Sequence, residues 1–533
     1  MGKRHNDFLA TLAMREEFRD AYWSQRDPIA DDRLLWRAQT FRHMVHLLPG
    51  QSMLELGCGE GRLTRQLARV SRGENPITSV TFRAGAARPR GLGERVEFMV
   101  LDELFPGPAL VGRQFDFVVA MDLLDQDNCA QVLHHVHDFL KPGGQAIFYE
   151  SNPWNAFLKL RRSMHRVFGE DKDPRRLLSR PRLYELMSEL GFIRVFAVYN
   201  DFVYRPLAGG MAWALRNASI LLENAPGVRT LAGSILVHAQ KPPRAVERPK
   251  VPLFQHESMR GSVSVVIPCH NEEMNIGPLV NRLRDHLGEY IHEIIPVDDN
   301  SKDHTRQVID KLAQEDPRVK PVFRTPPNGV GRAITDGYRA ATGRWVLSMD
   351  CDFQHLLPEI RDLFDAAATG QYDVVVGSRF SRHSVLLNYP FQKIVANRGF
   401  HTLAQFVLLR RFRDLTNNLK LVRREVVEKM RLTQPGFAIN AETGLQPLVM
   451  GCRIKEVPIS WINRTPDMGS SSFKLVKVGG GYWRVLWNLW LRCVLRTGSY
   501  KDLPTTGRAR QTFRDVTDPA LAGGSAAPAG AKP

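Results

Sequence analysis

No stretch of eighteen apolar residues occurs in the 533-residue chain, so no transmembrane helix is expected. The N-terminus is charged from Lys3 to Asp7 and carries no apolar signal core. Cysteine is scarce: Cys58, Cys129, Cys269, Cys351, Cys452 and Cys493 are scattered, with no C-x-x-C pair. That spacing indicates neither a zinc site nor a disulfide framework, and a reducing compartment is the default. No run of five basic residues occurs, although the net charge is +17 and the pI near 9.8. The charge points to an anionic partner. Without a basic run, nucleic acid is not favoured over a phosphorylated substrate or an anionic lipid. A cytoplasmic protein, without nucleic acid, is the expectation.

What is present is enough sequence for two or three domains. Residues 1 to about 50 read as amphipathic helices, with Leu34, Leu35, Ala38, Phe41, Met44 and Val45 at helical spacing. Met53 to Leu56 then reads as an apolar strand running into Gly57, Gly59 and Gly61, with a helix after them. Alternate glycines between strand and helix let a backbone approach a ligand and open the helix N-terminus toward it. Strand-like segments follow at 77–82, 96–101, 115–121 and 145–149, with a helix at 129–140 and a turn at Lys141-Pro142-Gly143-Gly144. This alternation predicts a doubly wound, mostly parallel sheet. Ligands bind such sheets at the carboxyl ends of strands, where Glu55, Gly57, Asp102 and Asp122 fall.

The E-L-G-C-G-E-G loop, V-L-D at 100–102, F-D-F-V-V at 115–119 and K-P-G-G at 141–144 make residues 30–241 resemble class I S-adenosylmethionine-dependent methyltransferases. The resemblance implies a Rossmann-like fold over 1–241. It places Glu55, Gly57, Gly59 and Gly61 at the methionine end of S-adenosylmethionine and Asp102 beside the adenine. The family's second strand usually ends in an acid that bonds both ribose hydroxyls. Here it ends Thr81-Phe82-Arg83. Losing hydrogen bonds to a charged acceptor costs about 1.5–3 kcal/mol. Two readings follow: an active methyltransferase, or a non-catalytic domain that positions the second.

Residues 242–261 are proline-rich, charged and aperiodic, and read as a linker. Beyond them three strand ends carry polar groups: Pro268 to Glu273 after 262–268, Asp298 to Asp303 after 291–297, and Asp350-Cys351-Asp352 after 345–349. Asp350 and Asp352, one residue apart where a strand ends, can converge on a hard cation such as Mg²⁺ or Mn²⁺. Taken alone, the pair also suits an ordinary strand-to-helix turn.

V-V-I-P-C-H-N-E-E, V-D-D-N-S-K-D-H-T, G-V-G-R-A, M-D-C-D-F-Q-H, V-V-G-S-R-F, D-L-T-N-N-L-K-L and C-R-I-K-E-V-P-I-S-W-I-N-R-T resemble, in order, inverting family 2 glycosyltransferases of GT-A fold. More narrowly, the pattern looks like the dolichol-phosphate mannose synthase branch, over about 262–475. The resemblance implies transfer from a nucleotide-diphospho-sugar to a polyprenyl phosphate. Pro268, His270, Asn271, Glu272, Asp298, Asp299 and Gly331 would bind the donor. Asp350, Asp352 and Gln354 would hold the metal. Arg379, Arg398, Arg464 and Lys474 would meet the acceptor phosphate, with Asp350, Asp352 and Arg464 catalytic. The 414–420 segment differs from the family's usual D-x-T-S-G-F-R, and the segment between Arg464 and Lys474 is longer than usual.

A phosphate acceptor is already anionic near neutral pH and needs cations rather than a base. A hydroxyl acceptor, the alternative, needs a carboxylate base, and Glu442 is its candidate. Residues 476–503 read as an amphipathic helix with Trp483, Trp487 and Trp490 on one face. Such a helix either lies at the inner membrane face or packs on the domain. Residues 504–533, rich in Ala, Gly and Pro, read as a disordered tail.

Overall fold

The computed structural model describes residues 2–24, 30–101, 103, 105–155, 159, 176–203, 209–243, 250–351, 357–381, 383–387, 389–462 and 475–505. The chain divides into two compact units between residues 247 and 248, each built on a seven-stranded sheet.

The first unit runs α1 (Gly2–Ser24), α2 (Ala30–Met44), β1 (Met53–Leu56), α3 (Arg62–Val70), β2 (Ile77–Thr81), β3 (Val96–Val100), β4 (Phe115–Met121), α4 (Cys129–Phe139), β5 (Leu140–Ser151), α5 (Arg180–Glu189), β6 (Ile193–Asn200), α6 (Gly209–Asn224) and β7 (Ser234–Gln240). The strand order is β3-β2-β1-β4-β5-β7-β6. β1 to β5 are parallel, and β7 enters antiparallel between β5 and β6. Leu54, Leu56, Val118 and Ala120 on the central strands are fully buried, as a sheet covered on both faces requires. The strand order reverses between β1 and β4, which opens a crevice at their carboxyl ends.

One boundary differs from expectation. The segment 141–144 is not a free turn but lies inside a continuous β5, looped out between the Phe115–Leu140 and Phe117–Gln145 pairs. The end of β7 holds it there: Lys241 N–H donates to the Gly144 carbonyl (2.9 Å) and Gly143 N–H to Pro242 (3.2 Å).

The second unit runs β8 (Val263–Cys269), α7 (Ile276–Leu287), β9 (Ile291–Asp298), α8 (Thr305–Glu315), β10 (Val322–Phe323), α9 (Val330–Ala340), β11 (Trp345–Ser348), α10 (Leu357–Ala368), β12 (Val374–Ser378), β13 (Val385–Leu387), α11 (Phe391–Leu408), β14 (Lys420–Arg423), α12 (Arg424–Val427), α13 (Ile439–Met450), β15 (Ile454–Pro458), β16 (Ser460–Ile462) and α14 (Leu475–Leu495). Its order is β10-β9-β8-β11-β14-β12-β15, with β13 and β16 as a separate pair. β14 runs antiparallel to both neighbours. The carboxyl ends of β9, β8 and β11 therefore lie side by side.

Residues 250–261, expected as linker, pack on this unit. Leu253 and Met259 are buried. Leu253 N–H donates to His286 O (2.7 Å) and Gln255 N–H to the Tyr290 hydroxyl (2.9 Å). The helix expected at 476–503 corresponds to α14 but ends at Leu495, eight residues short of the expected bound. Val485, Leu486 and Leu489 bury into the core, while Trp483 and Trp487 remain about half exposed on another face. The tail beyond 505 lies outside the described residues, and no described helix is long and apolar enough to cross a membrane.

Candidate functional site

In the second unit the loops after β8 and β9 interlock. Asn271, at φ 58°, donates its N–H to Ser301 Oγ (2.9 Å) and accepts Lys302 N–H at its side chain (2.9 Å). Glu272 N–H donates to Thr305 Oγ1 (2.8 Å), and its carboxylate accepts from Asn275 (2.6 Å). Asp298, buried, accepts Ser301 N–H (3.2 Å). His270 Nδ1 lies 3.0 Å from the Asp299 carbonyl oxygen.

Asp299 is less open than expected. Arg324 engages one of its carboxylate oxygens and Gly329 N–H the other (2.6 Å). Gly331 serves packing: a Cβ there would stand 2.1 Å from Gln434 O. Without side chains, Gly329 and Gly331 let the start of α9 lie against the 434–436 segment. Pro268 is half-buried near the end of β8.

Asp350 follows β11 by two residues. Asn418 bridges it to the strand, donating to Asp350 Oδ1 (2.8 Å) and accepting from Ser348 Oγ (2.7 Å). The antiparallel β14 makes this possible, because Lys420 pairs with Ser348. Lys420 is fully buried, and its ammonium donates to Asn417 O and Asn440 O (3.3 Å). Burial pulls its pKa down to about 7, against the pull of Asp414 and Asp350.

Asp414 is a hub. Its carboxylate accepts Arg379 Nε (2.7 Å), Nη2 (3.0 Å) and N–H (3.0 Å), and Thr416 N–H (3.1 Å). Burial pushes this carboxyl up, but the charge and hydrogen bonds of Arg379 outweigh it and hold it well below the usual range. His401, 3.3 Å from Asp414, is pushed down to about 4 by burial. Arg379, expected at the acceptor phosphate, is thus already forked onto a carboxylate. Arg398 on α11 is exposed, and the two guanidinium groups flank the Phe380 ring at 5.7 and 5.5 Å.

Glu442 is fully buried. It accepts Thr433 N–H (2.8 Å), Thr433 Oγ1 (2.6 Å), Gln434 N–H (3.0 Å) and the Tyr500 hydroxyl. Asp352, Gln354, Arg464 and Lys474, like Asp102 in the first unit, lie outside the described residues. Among the described residues no group of three His, Cys, Asp or Glu is arranged to hold a metal ion. The roles of Asp414, Asn418 and Lys420 were not assigned from sequence, though D-L-T-N-N-L-K marks them as a motif.

In the first unit, Gly57, Gly59 and Gly61 take φ of 71°, 52° and 65°, which glycine alone adopts freely. Glu55 is buried, accepting Thr64 Oγ1 (2.6 Å) and Ser79 Oγ (3.2 Å). Burial pushes its carboxyl up to about 7, with Thr64 and Arg19 opposing. The glycine loop is covered by α1. Glu16 accepts N–H from Gly59 (2.6 Å) and Phe82 (2.7 Å), Asp20 accepts that of Glu60 (3.0 Å), and Arg19 donates to Gly57 O and Met121 O (3.4 Å). A Cβ at Gly59 would stand 2.2 Å from Asp20 Oδ2. So arranged, these residues do not fit S-adenosylmethionine, because the chain's own side chains take the groups that would hold it.

Residues 264–431 match the model of Glycosyl transferase family 2, and residues 53–144 that of a Methyltransferase domain. A dolichol-phosphate mannosyltransferase from Pyrococcus furiosus is 32% identical over 203 residues, 37% of this chain and 56% of that protein. The chain thus spans just over half the length of that relative. A polyprenol monophosphomannose synthase from Mycolicibacterium smegmatis is 32% identical over 207 residues, 38% of this chain and 77% of that protein. The solved glucosyl-3-phosphoglycerate synthase from Mycobacterium tuberculosis covers 46% of this chain and 86% of its own at 18% identity, with a TM-score of 0.34, too loose to bear on function. With a relative matched over three quarters of its length, and a methyltransferase domain beside the matched region, the chain belongs to the family 2 glycosyltransferases.

Proposed function

We propose that the second unit transfers a sugar from a nucleotide-diphospho-sugar to a polyprenyl phosphate. The observation that carries this is the state of Glu442. The carboxylate that a hydroxyl acceptor would need as base is buried and saturated with donors, while Arg398 stands exposed. An acceptor that is already ionised needs no base, and it is drawn by guanidinium. The two relatives' names, a dolichol-phosphate and a polyprenol-phosphate mannosyl enzyme, support the same acceptor class.

The β8–β9 loops, with His270, Asn271, Glu272, Asp298 and Asp299, frame the donor nucleotide. Asn418 holds Asp350 by its Oδ1 just past the end of β11. A carboxylate so held is a hard oxygen donor suited to Mg²⁺ or Mn²⁺, and Asp352 and Gln354 follow it in sequence to complete the set. When bound, such an ion supplies Lewis-acid stabilisation of the departing diphosphate. Arg398 offsets charge repulsion as the acceptor phosphate approaches, beside an Arg379 whose charge Asp414 already balances. Arg464 and Lys474 add to that role.

Peripheral membrane contact suits a polyprenyl substrate. Val395, Leu403, Phe406 and Leu409 are exposed along α11 and just past its end, at spacing that shares one helical stripe with Arg398. Arg410, Arg411 and Arg413 follow, also exposed. α14 packs against α11 and adds Trp483 and Trp487. Apolar and basic groups together suit the surface of an anionic bilayer, on the cytoplasmic side.

The test is transfer from labelled UDP- and GDP-sugars to a short polyprenyl phosphate with Mg²⁺ or Mn²⁺, alongside Asp350→Asn and a chelated sample. Asp350→Asn is expected to lose at least about a hundredfold in rate, the metal being worth several kcal/mol. Transfer to a lipid or sugar hydroxyl, with none to the phosphate, would overturn the assignment.

A further inference from the structure

The crevice of the first unit presents a definite set of backbone groups. Two carbonyls, Gly57 O and Met121 O, call for a cation. Three amides, Gly59, Glu60 and Phe82, call for an anion or hydroxyl. An amino-acid-bearing nucleoside would offer both charges. Here α1 offers them instead: the Arg19 guanidinium on the two carbonyls, the Glu16 and Asp20 carboxylates on the three amides.

The fit extends to both ends of the cluster. Thr81 Oγ1 donates to Glu16 (3.0 Å), and Arg83, standing where a ribose-binding acid is usual, pairs with Asp20 at 2.9 Å. Glu16, Arg19 and Asp20 are 1%, 4% and 7% exposed, values that charged side chains reach only when paired. Burial works against the Arg19 charge, yet Asp20, Glu16 and Glu55 together raise its pKa. Burial likewise pushes Glu16 up, with Arg19 and the hydrogen bonds opposing.

We infer that Glu16, Arg19 and Asp20 are a built-in occupant of this crevice, standing permanently in place of S-adenosylmethionine. The first unit is then a methyltransferase fold without cofactor, stabilised by its own helix. The pairing of Arg83 with Asp20 argues for permanence, since the strand end is adapted to the occupant rather than to a ribose.

The experiment uses the full chain. S-adenosylmethionine is titrated calorimetrically, and thermal unfolding is followed with and without it at about millimolar concentration. A ligand at a hundredfold its Kd raises melting by several degrees. No saturable heat and no shift are expected, and stoichiometric binding by the wild-type chain would overturn the inference. The variant Glu16→Ala with Arg19→Ala should melt several degrees lower, with no recovery on adding S-adenosylmethionine. Recovery would mean that α1 merely competes with the cofactor, which also overturns permanence. Should that variant not fold, a cycle of Gly59→Ala and Asp20→Ala decides. If Asp20 fills the space that a Gly59 Cβ would take, the double variant melts higher than the summed single losses imply. Simple additivity would count against the occupied crevice.

Discussion

Asp414→Asn removes the charge from a carboxylate that is 0% exposed and faces an Arg379 that is 7% exposed. The amide keeps the shape but presents hydrogens where Arg379 now finds an acceptor, leaving a buried guanidinium uncompensated. Breaking a buried pair from one side costs about 3–5 kcal/mol. For a unit of this size each kcal/mol moves the melting temperature by about 2–4 °C, so a fall of roughly 6–20 °C follows. The His401 and Thr416 contacts make the upper half of that range the better expectation. Scanning calorimetry of the full chain measures it, with Arg379→Met/Asp414→Leu as the companion. Removing both charges together is often close to neutral, so the double variant should melt well above Asp414→Asn. A single-variant loss under about 1 kcal/mol, the level of an exposed pair, would refute the reasoning. So would a double variant no better than the single, because the cost would then lie in packing rather than charge.

Two further outcomes follow from the geometry. Glu55 has its pKa raised by burial to about 7 from an ordinary 4.5, so the stability it contributes is full below about 4.5 and lost as pH rises to about 7. At 1.36 kcal/mol per unit, the wild-type chain should lose about 2 kcal/mol relative to Glu55→Gln between pH 5.5 and 8. Parallel melting profiles for the two proteins would refute this. On the other unit, Phe406→Asp with Leu409→Asp should weaken co-sedimentation with anionic vesicles by more than about a hundredfold, each apolar side chain being worth about 1.5–3 kcal/mol when buried. Unchanged co-sedimentation would exclude this face from membrane contact.

The strands were legible because their signals are local. An apolar run such as Val263–Cys269 or Trp345–Ser348, ended by proline, asparagine or aspartate, marks both strand and ligand edge in a few residues. The linker misled in its second half because prolines mask Leu253 and Met259, the two apolar residues that anchor it. The charged groups were less legible, since their fate depends on partners far along the chain. Arg379 meets Asp414 35 residues away, and Glu16 meets Phe82 66 residues away. Residues 1 to about 50 read on sequence only as amphipathic helices, and it is the loops after β1 and β2 that take up Glu16 and Asp20.

The same contrast orders the guanidinium groups of the second unit. A motif names Arg379 and Arg398 alike, yet a charge already neutralised by a carboxylate attracts an incoming phosphate weakly. Arg379 has spent two of its donors on Asp414, whereas Arg398 stands on an exposed helical stripe that leads to Phe406 and Leu409. On the proposed reading, a polyprenyl phosphate whose tail rests on that apolar stripe would meet Arg398 first. Arg379, its guanidinium oriented and balanced by Asp414, would stand beside the Phe380 ring and add little attraction of its own.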